Sequence, residues 1–241
     1  MLGKTAGGLY WMFCFLERSE NTARLVEAGF RIALPRSSDG ESEWKPMVTT
    51  AGVKADYSAK YHNIVDYLLR DPANPSNVIS VIENARSNAR MVRTALTTEV
   101  WEAVNETWMT LKLALKPPIR ETELPAILGT IRRQSALVHG ALHGTMLRND
   151  INDFAVIGTV LERADNTARI IDVKYYTLLP SASFVGSSLD NVQWEMVLRS
   201  VSAHRAFRWL NEGDINSSSI ASFLMLDAQF PRSLLFAASI W

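Results

Sequence analysis

Cysteine is nearly missing from this sequence, since Cys14 is the only one among 241 residues. A single cysteine excludes a disulfide-stabilised scaffold and a cysteine-rich zinc site. A charge excess is missing too, because 25 lysines and arginines balance 25 aspartates and glutamates. We therefore expect neither nucleic acid nor a membrane as a partner. The 47% of hydrophobic residues can form a substantial core, which excludes an intrinsically disordered protein.

Long apolar runs are also scarce. No stretch reaches the roughly 18–20 apolar residues that a membrane span requires. The run from Gly8 to Leu16 resembles the apolar part of a signal peptide, but Glu17 and Arg18 follow it at once without a small-residue cleavage site. We therefore expect a cytoplasmic protein.

Proline is absent from several long stretches, and helices are predicted there because an internal proline costs a helix about 3 kcal/mol. Alternating β-branched runs are few, and no Asn-Gly or Asp-Gly turn joins such runs. The sequence therefore predicts an all-α fold, a multi-helix bundle of about eight or nine helices. Apolar residues recur at three- and four-residue steps in segments 76–97, 99–115, 152–179 and 190–210.

An eleven-residue motif occurs twice. The first motif, Leu16–Val26, reads LERSENTARLV, and the second motif, Leu161–Ile171, reads LERADNTARII. A weaker third motif, Ile82–Val92, keeps Glu83 and Arg90 seven positions apart. We interpret the repeat as an internal duplication in which two Glu-Arg helices are related by a pseudo-twofold axis. The separation is too long for a solenoid, whose period is about 20–50 residues.

The polar residues of the first motif fall on one face of a helix. Glu17, Asn21 and Arg24 stand at positions i, i+4 and i+7. One or two turns upstream this face is apolar, which indicates that the charged groups continue a buried surface. Buried charges must be paired, so the Glu/Asn/Arg faces of the motifs are expected to satisfy one another.

Three interpretations of these faces stay open. They form a structural ion network that holds the helices in register, a pocket for an anionic or peptide-like ligand, or a solvated face whose ion pairs contribute about 0.2–0.5 kcal/mol each. The candidate ligand-binding or ion-network residues in the three motifs are Glu17, Arg18, Glu20, Asn21, Arg24, Glu83, Arg86, Asn88, Arg90, Glu162, Arg163, Asp165, Asn166 and Arg169.

With these motifs, the chain resembles the bacterial alpha-E domain family. The resemblance implies an all-helical fold. Family members are typically encoded beside circularly permuted ATP-grasp proteins and transglutaminase-like proteins, which implies a role in making or processing amide or peptide bonds and a partner of one of these classes. The matching stretches are the opening Leu2–Met12, the first motif, Asp71–Ser76 followed by Asn88–Arg90, Thr145–Arg148, the second motif, and Phe223–Asp227 with Phe230–Ser233.

The last of these stretches adds Asp227 and Arg232 to the candidate residues. The chain departs from the family pattern Trp-Met-Gly-Arg-Tyr before the first Glu-Arg pair, where it has Trp11–Phe15, and it lacks the corresponding arginine before the second. Family members usually extend further past the Phe-Pro-Arg-Ser stretch. We therefore predict a single domain over 1–241 that lacks the family's C-terminal helices, and the apolar run Leu234–Trp241 predicts a homo-oligomer.

Other motifs for chemistry are weak. His139 and His143 stand four residues apart, a spacing that can ligate a metal, but no carboxylate accompanies them in the HExxH register. No glycine-rich phosphate loop is present in the sequence. We expect no metal and no cofactor, and no catalytic residue is assigned.

The leading hypothesis is an accessory protein that binds a ligand or partner in an ATP-grasp amide-ligase or peptide-modification system. The first alternative is an enzyme acting on amide or peptide-like substrates, with carboxylates of the Glu-Arg faces as general bases and arginines holding a substrate carboxylate. The second alternative is a purely structural Glu-Arg network without a ligand.

Overall fold

Helices make up the regular structure of the described residues. The computed structural model describes residues 2–33, 61–176, 186–211 and 216–240. Within these ranges there is no β-strand, which confirms the predicted all-α class. No helix there is both long and apolar enough to cross a membrane. The ten α-helices in these ranges are α1 (Gly3–Ala33), α2 (Tyr61–Leu69), α3 (Val78–Met91), α4 (Thr98–Ala114), α5 (Leu124–Thr145), α6 (Asp150–Tyr176), α7 (Ser188–Ser200), α8 (His204–Leu210), α9 (Ser217–Leu226) and α10 (Leu234–Ser239).

Short polar side chains determine where many of these helices begin. Each accepts a hydrogen bond from the backbone N–H three residues later, which satisfies a donor that the first helical turn leaves open. Pro125 lies in the first turn of α5, where its missing N–H costs nothing. The capping residues of α3, α4, α7, α9 and α10 are Asn77, Thr97, Ser187, Asn216 and Ser233.

The predicted helical segment 190–210 is two helices, α7 and α8. Ser202 between them has a φ of 57°, the left-handed conformation that ends a helix. The backbone N–H of Ala203 donates to the carbonyl oxygen of Leu198 at 2.7 Å and closes the turn. The break carries no glycine or proline, so the apolar spacing on both sides gave no sign of it. Residues 177–179 of the predicted segment 152–179 lie outside the described residues.

The chain divides into two compact units. The first comprises residues 1–23 and 62–162, and the second comprises residues 24–61 and 163–241. In the first unit α3 packs against α4, and α4 packs against α5. Its core is built from apolar residues repeating at helical spacing, all of them fully or nearly fully buried: Leu9, Met12, Phe13 and Leu16 of α1, Val78 and Ile82 of α3, Val100 and Leu111 of α4, and Leu128, Ile131 and Val138 of α5.

The second unit has its own apolar core. In it α7 packs against α8 and α9, and α9 packs against α10. Three aromatic rings from different elements meet at its centre: Phe207 and Phe223 lie 5.5 Å apart edge to face, and Phe223 and Phe230 lie 4.9 Å apart. Such aromatic pairs stabilise a core beyond the area they bury.

Candidate functional site

The candidate site begins at a close crossing of α1 and α6 in the first unit. Gly158 of α6 faces Tyr10 of α1, and a Cβ at position 158 would overlap the Tyr10 carbonyl oxygen. The thiol of Cys14 donates to the Gly158 carbonyl oxygen at 3.3 Å. The absent side chain at Gly158 therefore allows the two backbones to approach closely, just before each motif begins.

Burial at this crossing suppresses the acidity of Cys14. It raises the pKa of the Cys14 thiol to about 11, and the nearby Glu162 carboxylate adds to the rise while a hydrogen bond with Tyr10 opposes it. Burial likewise raises the pKa of Tyr10 to about 12. Since the thiolate is the nucleophilic form, Cys14 is unsuited to nucleophilic catalysis at neutral pH.

An ion pair joins the first motif to the second. The Arg18 guanidinium donates through Nε to Glu162 Oε1 at 2.7 Å and through Nη2 to Glu162 Oε2 at 2.8 Å. The side chains are 32% and 11% exposed, so the pair is only partly solvated. This two-pronged geometry is the strongest arrangement of arginine and carboxylate and fixes the orientation of both groups.

One turn of α1 places two buried carboxylates near a histidine of α5. Glu17 is fully buried, and its Oε2 lies 3.5 Å from Nε2 of His139. Glu20 is 7% exposed and accepts a hydrogen bond from the Ser135 hydroxyl at 2.6 Å. One potential ligand atom from each of Glu17, Glu20 and His139 lies within 4.8 Å of the other two. These three residues, defined here as the Glu–Glu–His cluster, can hold a metal.

The remaining residues of the first and second motifs lie in different surroundings. Asn21 is buried, and Arg24 donates to the hydroxyl oxygen of Ser202. Asp165 and Arg169 pair with each other at 2.7 Å along the outside of α6, and both side chains are about half exposed. The partly buried Arg163 and Asn166 complete the second motif. Among the candidate residues of the two motifs, Arg18 of the first and Glu162 of the second contact each other directly.

The third motif lies apart from these contacts. Glu83 and Arg90 are exposed on α3. The Arg86 guanidinium donates to Asn105 of α4 at 2.7 Å, and the Asn88 amide donates to a carbonyl of its own helix. The third motif therefore attaches α3 to α4.

The two C-terminal candidates shape a turn before α10. The Asp227 carboxylate accepts backbone hydrogen bonds from Gln229 and Phe230, both at 2.8 Å. Arg232 is buried, and its carbonyl oxygen accepts a hydrogen bond from the Thr167 hydroxyl at 2.8 Å. The Asp227 contacts are local, whereas the Thr167–Arg232 hydrogen bond joins α6 to the turn before α10.

Two features were missed by reasoning from the sequence. His139 was considered only with His143 and a carboxylate on the same helix, whereas its carboxylates come from α1. His143 is exposed. Ser135, Val138 and Leu142 recur at three- and four-residue steps along the buried face of α5. This spacing could have indicated that His139 lies beside that face.

The second missed feature is a buried ion pair in the second unit. Lys174 is fully buried, and its Nζ donates to Asp190 at 2.6 Å and to Gln193 at 2.9 Å. Burial opposes ionisation of Asp190, but hydrogen bonds from Lys174 and from the Gly186 backbone lower the pKa of its carboxyl below the usual value. Lys174 stands seven positions after Thr167, so the two residues share a face of α6. Because Thr167 is buried, this spacing could have placed Lys174 on the buried face of the helix.

Comparison with known proteins identifies the family to which these motifs belong. The Alpha-E family model, described as a predicted alpha-helical domain with a conserved ER motif, matches residues 1–239. The chain is similar to uncharacterized proteins of Mycobacterium bovis and of two Mycobacterium tuberculosis strains, each 22% identical over 251 residues. The match covers 95% of this chain but 28% of each relative, so the chain spans about 28% of their length. No solved structure matches the chain.

Proposed function

Because this chain belongs to the Alpha-E family of helical domains with an ER motif, we propose that it is a non-catalytic, partner-binding module of an amide-ligase or peptide-modification system. Its partner is an ATP-grasp-type protein, the class that the resemblance to the family implies. The proposal places the protein in the cytoplasm, where an ATP-dependent ligase finds its nucleotide.

The observation that supports an accessory role is the internal use of the Glu-Arg pair. Arg18 directs Nε and Nη2 to Glu162, so the fork that would grip a substrate carboxylate is already occupied. The same contact fixes Glu162, which an enzyme would need as a mobile or poised base. The motifs in this region therefore support the architecture of a binding module.

An enzyme acting on amide or peptide-like substrates stays the alternative. Its site would have to use carboxylates and arginines that this chain engages in pairs such as Arg18–Glu162 and Asp165–Arg169. The thiol of Cys14 adds no nucleophile, since burial raises its pKa to about 11. A purely structural network is the second alternative, and it differs from the proposal in predicting no partner.

The second unit offers a surface for the partner. Trp209 is 80% exposed, the highest value among large apolar side chains of the described residues, and Leu210 and Leu226 are also mostly exposed. Leu210 and Leu226 also line an open groove of about 360 Å³, together with Phe223 and Asp227. Exposed apolar surface with a tryptophan is typical of protein interfaces.

Co-purification tests the accessory role. The full chain is co-expressed with an ATP-grasp-type protein, and the complex is measured by size-exclusion chromatography and titration. We expect a stable complex whose affinity falls at least tenfold in Trp209→Ser, because interface tryptophans carry much of the binding energy.

Trp11→Ser is the matched control, since Trp11 is a half-exposed tryptophan of the first unit. Its affinity for the partner should stay within about twofold of the wild type. Repeated failure of the full chain to form a complex contradicts the proposal. Turnover of an amide substrate by the purified chain alone, lost in Glu17→Gln, favours the enzyme alternative.

A homo-oligomer is a separate proposal from the partner complex. Leu235 of α10 is 41% exposed and Ile240, which follows the helix, is 37% exposed, while Ala237 of α10 is buried. Light scattering coupled to size exclusion is expected to detect a dimer that Leu235→Glu dissociates. A monomer at all concentrations contradicts this proposal without affecting the proposed ATP-grasp partner.

A further inference from the structure

We propose that the Glu–Glu–His cluster binds one divalent transition-metal ion, with Zn²⁺ as the best match to its ligands. The carboxylates of Glu17 and Glu20 come from one turn of α1, and the imidazole of His139 comes from α5. The ion would connect residues 17 and 20 to residue 139 in the first unit. This site is independent of the partner surface in the second unit and of the proposed accessory role.

The geometry of the cluster is close to that of a three-residue metal site. One ligand atom from each residue lies within 4.8 Å of the others. Zinc binds nitrogen and carboxylate oxygen at about 2.0–2.2 Å, so bound ligand atoms stand roughly 3–4 Å apart. The widest separation must shorten by about 1 Å on binding, a change within the reach of glutamate side-chain rotations.

The state of His139 is the second observation. Its Nε2 is buried and has no hydrogen-bond partner within the described part of the chain, although Glu17 Oε2 lies 3.5 Å away. Buried imidazole nitrogens almost always have a partner, and each exception requires a physical reason. A metal ion between Nε2 and the Glu17 carboxylate supplies that reason, since neutral imidazole nitrogen is a common zinc ligand.

The surroundings of the cluster match those of a metal site. The Ser135 hydroxyl donates to Glu20 Oε2 at 2.6 Å, which fixes the orientation of this carboxylate. The ring of Phe13, fully buried, lies 5.7 Å from the His139 ring and restricts solvent on that side. Such neighbours of the ligands usually change metal affinity by about 10–100-fold when they are removed.

The ligand set selects among metals. Two carboxylates and one imidazole suit Zn²⁺ and, less closely, Mn²⁺ or Fe²⁺, whereas Cu⁺ requires sulfur ligands. Ca²⁺ takes six to eight oxygen ligands and Mg²⁺ prefers an octahedron of oxygens, neither of which matches this set.

Zinc titration tests the site. The purified full chain is stripped with EDTA and titrated with ZnCl₂ by calorimetry, and its melting temperature is followed in parallel. We expect one equivalent of Zn²⁺ and a rise of the melting temperature with zinc concentration. Glu20→Gln and His139→Gln should each weaken binding by more than about tenfold, because each removes one of three ligands.

His143→Gln and Glu102→Gln are the matched controls. His143 lies one turn from His139 on the same helix, and Glu102 is an exposed glutamate of α4. Both should keep the wild-type affinity within about twofold. Absence of saturable binding overturns the proposal, as does binding that Glu20→Gln and His139→Gln leave unchanged or that His143→Gln removes.

Cobalt provides a measurement on the unaltered chain, in case the buried substitutions prevent folding. Co²⁺ added to the stripped protein is expected to develop visible absorption of a four- or five-coordinate site with nitrogen and oxygen ligands. Zn²⁺ should displace it at one equivalent. A spectrum identical to that of aqueous Co²⁺ overturns the proposal.

Discussion

The first and second motifs share most of their sequence, yet most residues of the first are more deeply buried than their counterparts in the second. Glu17 is fully buried and Glu20 is 7% exposed, whereas their counterparts Glu162 and Asp165 have side chains 11% and 50% exposed. Arg24 of the first motif bonds to Ser202 through a contact distant in sequence, while Arg169 of the second pairs within its own helix.

The difference shows that a repeated helical pattern determines which residues share a face but not what covers that face. The first motif has α5 against it, which supplies His139 and Ser135 as partners. The second motif has a half-exposed i,i+4 pair of the kind that contributes a few tenths of a kcal/mol. The two motifs are therefore expected to respond very differently to the same substitution.

The largest expected effect is at the paired glutamates. Glu17→Gln should lower the free energy of unfolding by about 3 kcal/mol, because it removes a charge from a fully buried group of interacting side chains. Glu162→Gln should cost about 1 kcal/mol, since its pair is partly solvated. Urea unfolding in EDTA measures both without a contribution from metal. Equal losses would contradict the contrast between the motifs.

The crossing before the motifs gives the next largest effect. Gly158→Ala should destabilise the chain by about 2 kcal/mol, because the new Cβ meets the Tyr10 backbone. Gly140→Ala is the matched control on an open helical surface. It should stabilise the chain by about 0.5–1 kcal/mol through helix propensity. Thermal melting distinguishes the two, and the same sign at both positions would show that the crossing is not tight.

A double-mutant cycle compares the two arginine pairs. Removing Arg18 and Glu162 singly and together should give a coupling of about 1 kcal/mol that persists in 0.5 M salt, since the pair is bidentate and partly buried. The Asp165–Arg169 pair should give less than about 0.5 kcal/mol and lose it in salt. A larger coupling energy for Asp165–Arg169 than for Arg18–Glu162 would contradict this expected order of the two pairs.

The smallest effect is a pH dependence at Cys14, one turn before the first motif. Burial raises the pKa of the thiol from 9.0 to about 11, so between these values the folded chain binds more protons than the unfolded chain. The free energy of unfolding should therefore fall as the pH rises through this window. Cys14→Ala should reduce the slope. Iodoacetamide should alkylate Cys14 slowly at pH 8.5 until urea unfolds the chain, and fast native alkylation would contradict its burial.

Much of the fold could be predicted from the sequence because helices have local signals. Proline-free segments with apolar spacing located α4 and the start of α6 within a few residues, whereas the predicted segment 76–97 ran six residues past the end of α3, into a 3-10 helix at Arg93–Ala95. The break at Ser202 could not be predicted, because a left-handed serine has no local signal comparable to glycine or proline. The predicted internal duplication stays a prediction.

The candidate site was less accessible to sequence reasoning. The pattern placed Glu17 and Asn21 on one face, but periodicity carries no information about the partner helix. The neighbours of Glu17 and Glu20 come from residues more than 110 positions away on α5, and the Arg18–Glu162 pair spans 144 positions. Contacts at that separation depend on how helices pack, which single-helix patterns do not encode.

The burial of Lys174 has a practical consequence for following this protein in solution. Its amine is fully enclosed and held by Asp190 and Gln193. An amine-reactive reagent can therefore modify Lys174 only in molecules whose second unit has opened, while exposed lysines such as Lys112 react at once. The rate at which Lys174 is labelled, measured by mass spectrometry on the wild-type chain, thus reports local opening of the second unit.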